Sequence, residues 1–201
     1  EEYWTIDARF KLEHAAITAH FTGMDGEKKD LTCKADADEV LRRCENAAFA
    51  VSGIRHSERR KYPAPPFTTS NLQQEASRKL GFTTQKTMQI AQQLYEGVEL
   101  AGEGSQGLVT YIRTDSTRIA DEAVEAARGM ILDLYGEDYV PEKPNVYKTR
   151  KSAQDAHEAI RPTDILRRPD SIKPSLSRDQ FRLYKLIYDR FVSSQMTPAV
   201  Y

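Results

Sequence analysis

Residues 107–117 read Gly107-Leu108-Val109-Thr110-Tyr111-Ile112-Arg113-Thr114-Asp115-Ser116-Thr117. The pattern predicts a strand over 107–113 that leads out of a loop running from Gly102 to Gly107. In an extended chain, residues two apart face the same way. Tyr111, Arg113 and Asp115 therefore share one side, and Thr110, Ile112 and Thr114 the other. A phenol and a guanidinium come to lie side by side. A phenol is a competent nucleophile towards phosphorus and a good leaving group afterwards, while Arg matches phosphate oxygens with a two-pronged hydrogen-bonding fork. Taken alone, Tyr-x-Arg on a half-buried strand is more commonly packing plus solubility, so the surrounding sequence has to decide.

Upstream of this stretch the periodicity is helical. Ser70-Asn71-Leu72-Gln73 reads as a capping box opening a helix that Gly81 ends, and Thr83 or Thr84 opens a second that Gly97 ends, a pair resembling a helix-turn-helix. Downstream, Ala120, Val124, Ala127, Ile131 and Leu134 fall on one helical face before Gly136. A short helical segment is expected from Ser152 to Ile160, terminated by Arg161-Pro162. Ser177-x-x-Gln180 caps a long helix with Tyr184, Ile187, Tyr188 and Phe191 as its buried stripe.

The first sixty residues alternate in the strand manner: Trp4, Ile6, Ala8 and Phe10, then Ile17, Ala19 and Phe21, then Phe49 and Val51. Asp25-Gly26 is the expected turn, and a short helix from Asp36 to Cys44 lies between strands. Pro63, Pro65 and Pro66 remove backbone donors and hold the chain extended, marking a domain boundary. The predicted class is α+β. It comprises a β-rich segment (1–66, with 197–201 returning to it) followed by a mainly helical domain with a small sheet (67–196).

The 201 residues are 39% hydrophobic and 29% charged, the composition of an ordinary globular chain, and no apolar run approaches a membrane span. No initiator Met or targeting signal is present, and both ends read as cuts in a longer polypeptide. Cys33 and Cys44 are too few and too far apart for a zinc site or disulfide framework, which points to a reducing, cytoplasmic setting. The net charge of −1 conceals an asymmetry: three Arg against eleven acids over 96–142, and ten Lys and Arg against five acids over 143–182. Such runs are commonly just solvated surface.

Context then identifies the tyrosine segment. Gln92-Gln93-Leu94-Tyr95-Glu96, followed after twelve residues by Val109-Thr110-Tyr111-Ile112-Arg113-Thr114-Asp115-Ser116-Thr117, closely resembles the active-site signature of type IA DNA topoisomerases. Ala153-Gln154-Asp155-Ala156-His157-Glu158-Ala159-Ile160-Arg161-Pro162-Thr163-Asp164 resembles a second block of that family, in the form of its topoisomerase I branch. Pro66-Phe67-Thr68-Thr69-Ser70-Asn71-Leu72-Gln73-Gln74-Glu75-Ala76 looks like the entry into the tyrosine-bearing domain.

The resemblance implies the central part of a toroidal multi-domain enzyme, nucleoid-associated in the cytoplasm, whose β-rich segment forms part of an arch. Tyr111 would cleave one DNA strand through a 5′-phosphotyrosine, without ATP, and relax negatively supercoiled DNA. Arg113 would bind the scissile phosphate, and His157 would serve as donor or acceptor beside Tyr111. Asp115 is read as an orienting acceptor for a neighbouring donor such as His157, and Ser116 as a phosphate contact. Capping of the following helix accounts for either equally well. Arg161 is a backbone clamp on DNA or a helix-end cation facing a dipole. Lys148, Arg150, Lys151, Arg55, Arg59, Arg60 and Lys61 are candidates to line the DNA passage.

Family members bind Mg²⁺ through a separate acid-rich domain. No Asp-x-Asp-x-Glu cluster occurs here, so no metal site is expected in this chain and the isolated fragment should be inactive. The expected partners are single-stranded and negatively supercoiled DNA and the remaining domains of the same polypeptide, with no membrane. Two rival readings remain. One is a helix-turn-helix DNA-binding module, disfavoured because Lys86 is the only base on the second helix. The other is a structural scaffold.

Overall fold

The computed structural model describes residues 2–147 and 157–201. Its contacts divide into two units, Glu1–His56 and Ser57–Tyr201. Among the described residues, no helix is long and apolar enough to cross a membrane.

The first unit is built from two hairpins and a helix. Strands β1 (Asp7–Lys11) and β2 (Ala16–His20) pair antiparallel with Ala8 opposite Ala19 and Phe10 opposite Ile17, as the alternation requires. The two-residue strands β3 (Gly23–Met24) and β4 (Glu27–Lys28) are joined by Asp25-Gly26, both at positive φ (53° and 86°), the geometry that suits a tight hairpin. Helix α1 (Lys34–Cys44) closes a small core in which Leu31, Ala37 and Val40 meet Ile6, Phe21 and Met24. The strand expected around Phe49 and Val51 is absent. Phe49 instead packs its ring on Phe10 at 4.9 Å, a side-chain contact that needs no ladder.

In the second unit β5 (Arg60–Lys61) is followed by the proline segment and α2 (Thr69–Leu80), α3 (Thr84–Glu96), the hairpin β6 (Val98–Leu100) and β7 (Gly104–Gln106), then α4 (Asp121–Tyr135), α5 (Pro169–Ile172), α6 (Arg178–Ser194) and β8 (Ala199–Val200). Strand β8 returns to pair with β5, so the chain crosses twice at one place. The division between units consequently falls upstream of the boundary expected at 66.

Helices α2, α3 and α6 pack on one another around Leu72, Ala76, Ile90, Leu94, Leu183, Ile187 and Phe191. Burial of the Leu, Ile and Phe side chains among these, each contributing on the order of 2 kcal/mol, supplies the rigid base on which the tyrosine segment lies. Ser177 and Gln180 form the expected capping box. Gly81 ends α2 in the left-handed region (φ 69°), where a side chain would be strained.

Three local expectations are corrected. The cap of α2 is Thr68, whose hydroxyl accepts the Asn71 N–H, rather than Ser70. Leu134 is exposed, and the buried face of α4 is formed by Ala127, Met130 and Ile131. Residues 107–113 make no regular strand: they carry one antiparallel bridge, Val109 to Pro162. Beyond that bridge the backbone is satisfied by a side chain instead of a neighbouring strand. Thr69 Oγ1 donates to the Ile112 carbonyl at 2.7 Å and accepts the Thr114 N–H at 2.9 Å, and the Thr69 N–H donates to the Thr114 carbonyl at 2.9 Å. A sheet ladder is one way to satisfy buried backbone groups, and a threonine hydroxyl placed between them is another.

Candidate active site

Three extended segments meet on the helical base: 67–69, 108–116 and 159–163. The Ile160 N–H donates to the Phe67 carbonyl, the Thr110 N–H to the Arg161 carbonyl, the Thr163 N–H to the Leu108 carbonyl and the Ala159 N–H to the Arg118 carbonyl. The Thr110 hydroxyl adds a side-chain tie, donating to the Ala159 carbonyl at 2.8 Å and accepting the Arg161 N–H at 3.0 Å. Gly107 lets the segment approach the end of α3, since a Cβ there would stand 2.8 Å from the Tyr95 carbonyl oxygen. The backbone around Tyr111 is thus held from three sides.

Alternation does the rest. Ile112 and Thr114 are buried while Tyr111, Arg113 and Asp115 are exposed, the two-sided arrangement expected of an extended chain even without a regular strand. The Tyr111 ring is 46% exposed and lines a cleft of about 240 Å³ with Thr110, His157, Glu158 and Arg161. His157 stands edge-on to it with ring centroids 5.9 Å apart, and Tyr95 flanks it at 5.7 Å.

Two other tyrosines show what a structural tyrosine looks like here. Tyr184 and Tyr188 are buried, and their hydroxyls donate to the carbonyls of Arg167 and Ile165 at 2.7 and 2.8 Å. Burial pushes both phenols up, Tyr188 to about 12, and binds their protons more firmly. The Tyr111 hydroxyl, by contrast, makes no hydrogen bond among the described residues, and Tyr111 is partly exposed.

The fold therefore brings together Tyr111, His157 and Arg161 of the expected site residues. Arg113 and Asp115 lie exposed on the Tyr111 side of the segment, outside the lining of this cleft and without an ion pair among the described residues. No Asp115–His157 hydrogen bond is formed. Ser116 is buried, 1% exposed, and its hydroxyl accepts the Arg118 N–H, so the phosphate contact expected of it is replaced by a local turn. Asp115 and Ser116 do not cap α4 either, whose cap position is Ala120.

Residues 157–160 are extended rather than helical, because the Ala159 and Ile160 N–H groups are spent on Arg118 and Phe67; the remainder of the helix expected over 152–160 lies outside the described residues. Among the described residues, no helix leads into Arg161. Lys148, Arg150 and Lys151 also fall outside the described residues, and Arg55, Arg59, Arg60 and Lys61 are exposed.

Thr110, Glu158 and Tyr95 were not singled out by sequence reasoning as site residues. All three stand inside the quoted motifs, and spacing alone could not show that they converge. Among the described residues no three His, Cys, Asp or Glu side chains gather, and the Glu158 carboxylate in the cleft is bonded to Arg161.

The family model for DNA topoisomerase matches residues 1–201, the entire chain. The chain belongs to the bacterial type IA DNA topoisomerases. Full-length topoisomerase I from Thermotoga maritima is similar in structure, with 41% sequence identity and a TM-score of 0.67 over 91% of this chain. The match covers 28% of the Thermotoga protein, so this topoisomerase chain corresponds to about a quarter of that relative. Its α+β architecture is of the kind found in the Thermotoga topoisomerase I.

Proposed function

We propose that this chain carries the nucleophile of an ATP-independent topoisomerase I that cuts and reseals one strand of DNA and relaxes negative supercoils. The observation that carries the reading is Tyr111: an exposed phenol in a small polar cleft beside His157, on a segment tied by hydrogen bonds to the second family motif. In the proposed step the Tyr111 oxygen bonds to phosphorus as the P–O3′ bond breaks. The phenol gives up its proton and the 3′-oxygen ends as a hydroxyl. The 5′-phosphotyrosine conserves the bond energy, so religation is the same step reversed after strand passage, and torsional strain in the DNA drives the net change.

Arg113, on the same face two residues on, is proposed to meet the phosphate as charge develops on its oxygens, and His157 to exchange a proton close to the phenol. Asp115 is proposed to orient donors on the exposed face. Mg²⁺ is proposed to be held by a domain outside this chain, so the isolated chain would bind single-stranded DNA weakly and relax nothing. The reading as a helix-turn-helix DNA-binding module is weakened further by Lys86, the one base on α3, which is engaged in an ion pair with Asp179 at 2.6 Å.

The test is Tyr111→Phe in a full-length enzyme, with 3′-end-labelled single-stranded oligonucleotide and a denaturing gel. The substitution removes one exposed oxygen, so folding and DNA binding should survive while the protein–DNA adduct disappears. An adduct that persists would place the nucleophile elsewhere.

A further inference from the structure

The cleft of Tyr111 contains a cation whose orientation is built in. Arg161 is 15% exposed, and its guanidinium is held on two sides: Nε–H donates to Glu158 Oε2 at 2.8 Å and Nη1–H to the Pro162 carbonyl at 3.0 Å. Its backbone is held on both faces by Thr110, the residue next to Tyr111. Among the described residues Nη2 has no partner, and Arg161 and Glu158 line the cleft together with Tyr111 and His157.

A guanidinium offers five N–H donors in a fixed plane. With Nε–H taken by the Glu158 carboxylate and one Nη1–H by the Pro162 carbonyl, the Nη2–H donors and the second Nη1–H are those that remain. Both alternatives to a ligand role are weak here: residues 157–161 form no helix whose dipole a cation could meet, and a guanidinium needed only for packing would have no reason to face a cleft beside a phenol. Glu158 also neutralises Arg161 before DNA arrives, which offsets the cost of keeping a charge largely out of water.

Resting on the reading of Tyr111 as nucleophile, we infer that Glu158 is a positioning residue that aims the free edge of Arg161 at a non-bridging oxygen of the phosphodiester entering the Tyr111 cleft. Arg161 is then a second phosphate-binding residue, distinct from Arg113, which stands outside the cleft lining. Its ligand is the anionic phosphodiester itself, read without regard to base sequence.

The experiment uses the full-length enzyme and two oligonucleotides, one with the native phosphodiester and one with a neutral methylphosphonate at the mapped cleavage position. Affinities are measured in the Tyr111→Phe background, and cleavage is measured with Tyr111 intact. Arg161→Ala should weaken binding of the native linkage about tenfold and slow cleavage roughly a hundredfold, while leaving methylphosphonate binding within about twofold of the parent. Arg161→Lys, which keeps the charge without the fork, should recover only part of the loss.

Glu158→Ala should lose about three- to tenfold in cleavage, Glu158→Gln, which retains an acceptor for Nε–H, should recover most of it, and the Glu158→Ala/Arg161→Ala double variant should match Arg161→Ala alone. The inference is overturned if the two losses multiply, if Arg161→Ala weakens both oligonucleotides equally, or if Glu158→Gln is as damaging as Glu158→Ala while Arg161→Ala cleaves normally. The last result would make Glu158 a proton carrier. Failure of the parent enzyme to form any Tyr111-dependent adduct would instead sink the underlying assignment of the nucleophile.

Discussion

Thr110→Val replaces a hydroxyl by a methyl of nearly the same shape and removes both bonds that tie the tyrosine segment to the second motif through this side chain. One is the 2.8 Å bond to the Ala159 carbonyl, and the other is the 3.0 Å bond from the Arg161 N–H. Ala159 is fully buried, so its carbonyl cannot turn to water for a substitute. With each bond contributing about 1 kcal/mol net and a further cost for polar groups left without a partner, the expected loss is about 2–3 kcal/mol. For a unit of this size that lowers the melting temperature by roughly 6–9 °C. Thr110→Ser keeps the hydroxyl and loses only a methyl, so it should cost about 1 kcal/mol or less.

Calorimetry of the chain gives the melting temperatures. Fluorescence of the single Trp, Trp4, reports the first unit alone and so separates its transition from that of the second. In the full-length enzyme Thr110→Val should also slow cleavage more than it weakens DNA binding, because Tyr111 and Arg161 lose their common register. A Thr110→Val protein that melts within about 2 °C of the parent, or a Thr110→Ser protein that melts no higher than Thr110→Val, would refute the view that this hydroxyl joins the two segments.

Gly107→Ala should destabilise the second unit by about 1–3 kcal/mol, because the added Cβ meets the Tyr95 carbonyl oxygen and the segment must move off the end of α3; an unchanged or raised melting temperature would contradict this. The Lys86 ammonium holds the Asp179 carboxyl below the ordinary aspartate range, so this pair's contribution is present at neutral pH and is lost as pH falls from about 4 down through the lowered folded value. Asp179→Asn should therefore flatten the acid limb of the stability profile below about pH 4, and an acid limb identical to that of the parent would count against the pair. Single-stranded DNA binding by the isolated chain should be weak and fall steeply between 50 and 200 mM salt as phosphate contacts release counterions, as titration by fluorescence anisotropy would show; a constant affinity would exclude phosphate contacts as its source.

The amino-acid sequence by itself determined the periodic parts of this protein. The stripe of Tyr184, Ile187, Tyr188 and Phe191, the Ser177–Gln180 box, the glycine stop at Gly81 and the Asp25-Gly26 turn follow from rules that act within a few residues. The exposed and buried sides of residues 111–115 follow from alternation in the same way. Tertiary structure decided how the backbone of that stretch is satisfied. Thr69 and Thr110 take the place of a neighbouring strand through partners separated by forty or more positions, which no local pattern encodes.

The expected helix gave way at 157–160 for the same reason: the N–H groups of Ala159 and Ile160 found carbonyls on Arg118 and Phe67, and a backbone donor used across the fold cannot also serve a helix. Ser116 turned inward and Glu158 turned towards Arg161 once those segments were joined. Residue type made Tyr111 a candidate nucleophile, and only the meeting of three distant segments decided which side chains surround it.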